Sequence, residues 1–311
     1  MTAPRMCLII SENWTMTSGR DLPSLVRWAR EAEDAGFDSV MISEHIVLGP
    51  SSAARGIMPN PRGYALPGNQ DPATPWPSSV VLLSAIAAVT ERIRLVAGAV
   101  IAPLRHPMLI ARELGSLDLL SGGRLVVLPT VSWLADEYNA LGVPFQSRGD
   151  LLDEHLQAWA TLWRDTPASY AGRYYSFRDV YFEPKAFRPE GPTLWIGGSG
   201  MHRRMTERIV SYGAGFSPLG RPRPEEVARL DAAMRAAGRD PRKLELVGGP
   251  RVTFPDHDSV ADLGQALATL PPQIAAGFTT FCIKPSQFTD DPAGVGRLCR
   301  EIMRRADSLL P

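Results

Sequence analysis

Residues Ile93 to Thr130 read IRLVAGAVIAPLRHPMLIARELGSLDLLSGGRLVVLPT, and they contain one complete strand–helix–strand unit. Ile93 to Ile101 is an apolar run of strand length. Pro107 to Leu120 has the apolar spacing of a helix with proline at its start, and Gly122 supplies the stop. Arg124 to Thr130 is a second apolar run. Short hydrophobic runs joined through helices are the pattern of a parallel sheet.

The same rhythm extends to both ends of the chain. Upstream, Met6 to Ile10 reads as a strand; Asp21 ahead of Pro23 opens a helix with Leu22, Val26 and Ala29 on one face, and Gly36 closes it. Phe37 to Ser43 is the next strand, and Ser78 to Glu91 a helix. Downstream, a helix over Leu151 to Trp163 precedes a two-stranded excursion around Tyr170 to Phe182, turned by Gly172, which reads as a surface hairpin insertion. Strands then follow at Thr193 to Gly197, Ala214 to Ser217, Leu244 to Val252 and Phe278 to Lys284. The helices between and after them fall at Met201 to Tyr212, Arg223 to Ala237, Ser259 to Leu270 and Pro292 to Ser308. Eight strands, each followed by helix, favour an α/β fold closed as a (β/α)8 TIM barrel over an open doubly wound sheet. A chain of 311 residues fits one such barrel, so a single domain over residues 1–311 is expected.

One connection is far longer than the rest. Residues 47–77 carry seven prolines and four glycines without apolar periodicity. Because the segment follows the second strand, a barrel places it on the active-site face, where it is expected to act as a lid, with Tyr64 and Trp76 available to pack on a ring.

Composition narrows the function. Lys+Arg and Asp+Glu both total 33, with no long run of one sign, which argues against nucleic acid or an anionic membrane as partner. Cys7, Cys282 and Cys299 have neither metal-knuckle nor CxxC spacing, and His45, His106, His155, His202 and His257 are scattered singly; no metal is expected. No run approaches a membrane span, and Met6 to Ile10 is too short for a signal segment, so a cytoplasmic setting is expected.

Two motifs carry chemistry. Ser43-Glu44-His45 ends the second strand, and alternation of side chains prevents these three from forming a triad among themselves. The position does offer an imidazole, which ordinarily titrates near neutrality, at the rim of a barrel. Trp195-Ile196-Gly197-Gly198-Ser199-Gly200 runs from strand into a helix near Met201, where glycines let backbone N–H groups approach an anion. It is neither a dinucleotide fingerprint nor a P-loop. His202, Arg203 and Arg204 follow, cations that would suit a phosphate. By contrast, Leu117 to Arg124 reads as a structural joint, and Met6, Met41, Met201 and Met205 as core packing.

Taken in order, several segments resemble the bacterial luciferase-like monooxygenase family and, within it, the F420-dependent oxidoreductase branch. The carrying residues are Ala32 to Ser39, Ser43-Glu44-His45, Thr90 to Leu95, Arg105-His106-Pro107, Leu117 to Arg124, Asp136 to Gly142 and Trp195 to Gly198. The resemblance implies a cofactor at the carboxyl ends of the strands, coenzyme F420 or, as the alternative, FMN. It implies that Glu44 and His45 lie beside the ring and carry the acid/base work. It places a non-proline cis peptide at Ala99-Val100 behind the ring, Ala102 near it, Val131, Ser132 and Asp136 along the cofactor, and Gly197, Gly198, Gly200 and Met201 at its phosphate. One departure stands out: Leu128, Thr130 and Ser132 occupy positions where relatives commonly have glycine, and Trp133 stands where some relatives have a catalytic carboxylate. The expected activity is hydride transfer between reduced F420 and a small organic substrate with a C=C, C=N or C=O bond, or an alcohol in reverse. The alternatives are an FMN-dependent monooxygenase using O2 and a non-catalytic barrel that binds without reacting. Relatives often form homodimers, and no residue decides the oligomeric state.

Overall fold

A computed structural model describes residues 4–220 and 222–308. The elements in chain order are β1 (Arg5–Ile9), α1 (Leu22–Asp34), β2 (Ser39–Ile42), α2 (Ser79–Ala87), β3 (Arg94–Ile101), α3 (Pro107–Leu120), β4 (Leu125–Thr130), α4 (Ala135–Ala140) and α5 (Arg148–Arg164). They continue with β5 (Ala168–Ala171), β6 (Ser176–Val180), β7 (Thr193–Gly198), α6 (Arg203–Tyr212), β8 (Gly215–Pro218), α7 (Pro224–Ala236), β9 (Glu245–Gly248), α8 (Leu263–Leu267), α9 (Pro271–Ala275), β10 (Thr280–Ile283) and α10 (Val295–Asp307). Eight of these strands close in the order β1-β10-β9-β8-β7-β4-β3-β2, every pair parallel. The expected barrel is therefore present, and β5 and β6 form a separate antiparallel pair where the hairpin was read.

Local chemistry accounts for the boundaries. Asp21 caps α1 by accepting from the Ser24 amide at 3.2 Å, and Gly36 follows the helix at φ +91°. Sequence reading extended α2 to Glu91, but it ends at Ala87 because the amides beyond serve another purpose: those of Glu91, Arg92 and Ile93 donate to the Glu33 carboxylate. The Arg124 guanidinium donates to the carbonyls of Ala87, Thr90, Ile93 and Ser121, locking α2, β3 and β4 together. Three of the motif segments thus form one structural joint at the amino-terminal end of the barrel.

Three expectations shift. β9 stops at Gly248 rather than Val252, before Gly249 and then Pro250, which has no N–H for a ladder. The helix expected over Ser259 to Leu270 shrinks to α8, capped by Asp262, and a fresh short turn, α9, starts at Pro271. α6 starts at Arg203 rather than Met201, because the His202 ring caps it by accepting from the Met205 amide.

Two layers of core hold the barrel. Between strands and helices lie Leu8, Trp28, Val40, Leu95, Leu114, Val127, Trp159 and Phe281; inside the strands, Cys7, Ile9, Met41, Val96, Val126, Leu128, Trp195 and Val247 fill the floor. No helix among the described residues is long and apolar enough to cross a membrane.

Candidate active site

In a parallel barrel the strand carboxyl ends converge on one mouth. His45, three residues beyond β2, is 10% exposed at its side chain, and its Nδ1 lies 2.8 Å from Oε1 of Glu137 on α4. Glu137 is fully buried and also accepts from the Ile46 amide at 2.9 Å and the Ser132 hydroxyl at 2.9 Å. A carboxylate only accepts, so it holds the proton on Nδ1, and Nε2 has no partner among the described residues. Trp76 of the 47–77 segment and Trp133 stand edge-on to the imidazole, with centroids 5.0 and 5.9 Å away. Trp133, in place of a carboxylate, thus walls the histidine.

Glu44 points elsewhere. Its carboxylate takes two bonds from Arg105 (2.8 and 3.0 Å), one from the Ile101 amide (2.8 Å) and one from the Ser79 hydroxyl (2.9 Å). The expected acid/base role is corrected: a fully engaged, buried carboxylate ties β2 to β3 and α2 and has no lone pair left for substrate.

The residues expected along the cofactor divide. The non-proline cis bond is at Gly98-Ala99, one bond earlier than expected, where the β3–β4 register slips between Gly98↔Leu128 and Val100↔Pro129. Ala99 packs on the barrel floor, whereas Val100 and Ala102 are fully buried in the strand–helix layer, the opposite face. Leu128 fills the floor beside Gly197. Ser132 adopts φ +57°, a conformation that favours glycine; here its hydroxyl donates to Glu137 and accepts from the Leu134 amide. Val131 packs against the strand–helix core, and Asp136 accepts the Ser51 amide at 2.9 Å, holding the start of the 47–77 segment instead of lining the mouth. Gly49 is required there, since a Cβ would fall 2.2 Å from the Asp136 carboxylate.

That segment crosses the mouth and is fastened on its far side. Asn60 donates to the carbonyls of Asp256 and Ser259, Arg62 makes a two-pronged bond to Asp290, and Lys284, just past β10, donates to the Gly63 carbonyl at 2.9 Å. Tyr64 is 44% exposed, and its ring centroid stands 5.6 Å from the Lys284 ammonium.

At the β7–α6 turn, the amides of Ser199, Gly200 and Met201 donate to no described partner. Gly198, Ser199, Gly200 and Met201 line a cavity of about 230 Å3 shared with Phe216 and Pro218 of β8 and Leu219 just beyond it. A Cβ on Gly198 would fall 2.5 Å from the terminal methyl of Met205, a contact that rotation of this flexible side chain relieves. The neighbouring cations are occupied: Arg204 binds Asp150 and Asp153 of α5, Arg203 is 86% exposed beside Glu207, and His202 is a helix cap. An anion here would be met by backbone, not by these side chains.

Sequence reading missed Glu137, Glu12 and Lys284. Glu137 lay within a quoted motif; the other two carried the signal of a charged residue just past a barrel strand.

A closed parallel barrel with a carboxylate-held histidine and a covered mouth at the strand carboxyl ends defines an α/β-barrel enzyme scaffold. The chain belongs to the luciferase-like monooxygenase family, whose sequence profile matches residues 5–270. An uncharacterized protein of Mycobacterium tuberculosis is 34% identical over 239 residues, 75% of this chain and 79% of its own. The FMNH2-dependent dimethylsulfone monooxygenase of Pseudomonas putida is 29% identical over 138 residues, 43% of this chain and 38% of that one. An F420-dependent secondary alcohol dehydrogenase solved with an F420–acetone adduct superposes with a TM-score of 0.73 at 15% identity, covering 98% of this chain and 99% of that one.

Proposed function

We propose that this chain is an oxidoreductase that moves a hydride between reduced coenzyme F420 and a small organic substrate bearing a C=C, C=N or C=O bond, or takes it from an alcohol in reverse. The observation that carries the reading is His45, held by Glu137 with Nε2 unpartnered among the described residues, beside Trp76 and Trp133. Such an imidazole can take or give the proton that accompanies hydride transfer. When bound, the deazaflavin supplies or accepts the hydride. The residues fit such a group: Ser199, Gly200 and Met201 offer amides to a phosphate, and the apolar floor of Met41, Ala99 and Leu128 offers a surface for a ring. Tyr64 and Trp76 exclude water above it, and Glu137 keeps the His45 proton at Nδ1.

Reduced FMN with O2 is the second reading, supported by the dimethylsulfone monooxygenase relative. Titrating purified protein with F420 and separately with FMN, followed by tryptophan fluorescence and cofactor absorbance, separates the two. Tight F420 and weak FMN binding is the expected result; preference for FMN favours the oxygen-using reading, and binding of neither sinks both.

A further inference from the structure

We infer that Glu12 is a second proton-transferring residue of the mouth, on the strand end next to that of His45 and steadied by the ammonium of Lys284; this deepens the reading above and rests on it. Glu12 follows β1, whose two neighbours in the barrel are β10 and β2. The residues on either side are tied down: the Ser11 hydroxyl accepts the Ser43 amide at 3.0 Å, and Asn13 accepts the Ser286 amide at 2.9 Å while donating to the carbonyls of Ile9, Ile10 and Ser11. Between them Glu12 is forced to φ +62°. A non-glycine residue is strained in that conformation, and strain of this kind collects at functional sites.

Three buried glutamates differ: Glu44, Glu137 and Glu154 each engage three donor groups. Glu12 is half-buried and makes no hydrogen bond to any described residue. The groups facing it are Lys284 from the end of β10 and His45 from beyond β2, with the Tyr64 phenol above, which also senses Cys7 and Cys282. Lys284 is fully buried; its Nζ donates to Gly63 and stands 5.6 Å from the Tyr64 ring, so among described residues one acceptor serves three N–H groups. Burial pushes the Glu12 carboxyl above its ordinary range, with Lys284 and then His45 pulling partly back; burial likewise lowers Lys284, with Glu12 opposing. A carboxyl moved toward neutrality suits general acid–base work.

In reduction, the Glu12 acid gives its proton to the substrate atom left electron-rich when the hydride arrives, and the resulting carboxylate faces the Lys284 ammonium. In oxidation the carboxylate takes the hydroxyl proton while both electrons of the C–H bond leave with the hydride to the oxidised cofactor.

The test begins without cofactor: carbon-13 NMR of carboxyl-labelled glutamate, with the Glu12 signal assigned by its loss in Glu12→Gln. Its titration is expected above the ordinary glutamate range, and higher still in Lys284→Met, where a charge favouring the carboxylate is gone. In cofactor-loaded protein with menadione as hydride acceptor, Glu12→Gln should lower turnover by roughly 10²–10⁴-fold and remove one limb of the pH profile. A Glu12 signal in the ordinary range, or a variant with the wild-type profile, overturns the inference even if cofactor binds. A raised titration in wild-type protein that binds neither cofactor overturns instead the redox reading, and the catalytic use of Glu12 falls with it.

Discussion

Replacing Glu137 by glutamine would keep the shape of the side chain and reverse what His45 meets. The amide can still accept the Ile46 N–H through its oxygen, but its NH2 group then faces Nδ1, driving the imidazole proton to Nε2. Glu137→Gln should therefore lower turnover by roughly 10²–10⁴-fold, with a shifted pH profile. His45→Ala should lose activity on a similar scale; equal rates in both variants and the wild type would return the pair to a structural role. The neighbouring Glu44 makes the opposite case. Sequence placed it beside His45 as a partner in chemistry, yet Arg105, Ser79 and Ile101 engage both its oxygens.

At the scale of elements, residues 47–77 decide access to the mouth. The segment is held by backbone carbonyls and one ion pair at its far side and by Asp136 at its start, rather than by an apolar face of its own. Asn60→Ala strips the carbonyls of Asp256 and Ser259 of their donor, at a cost of about 1–3 kcal/mol. If the segment opens as a unit, amide exchange should quicken across residues 58–66 while the strands stay protected. Uniform acceleration over the whole chain would mean that the segment supports the barrel instead of covering it.

Closure of the whole molecule is recorded at the other end of the barrel. Glu245 on β9 accepts from Arg94 on β3, Thr280 on β10 and the Trp195 indole on β7, with Arg5 of β1 3.1 Å away. Burial works to raise this carboxyl, but Arg94 foremost, then Thr280 and Arg5, hold it below its ordinary range. A depressed carboxylate contributes stability that is complete above the unfolded value, about 4.3, and is lost as pH falls through the folded one. Glu245→Gln should thus destabilise the protein by about 1–3 kcal/mol near neutral pH. The gap to wild type should narrow as acid protonates Glu245, read by urea unfolding at stepped pH; a gap independent of pH would refute the linkage.

The fold was legible because its signals are local. Apolar runs of strand length, Asp21 and Pro23 at a helix start, and glycines at helix ends act over a few residues, and their repetition along the chain leaves little besides a barrel. The β7–α6 glycine turn and His45 were legible for the same reason: each lies where a strand must end. What sequence could not decide was the direction of neighbouring polar groups. Glu44 and His45 are adjacent, and one is consumed in the scaffold while the other faces the mouth. Arg203 and Arg204 promised an anion contact, and α5 supplies the aspartates that claim Arg204. Glu12 and Lys284 stand 272 positions apart and come to neighbouring strand ends only because β1 closes the ring against β10. The chain determined which strands form and where they end; ring closure, by making first and last strands neighbours, decided which charged side chains face one another there.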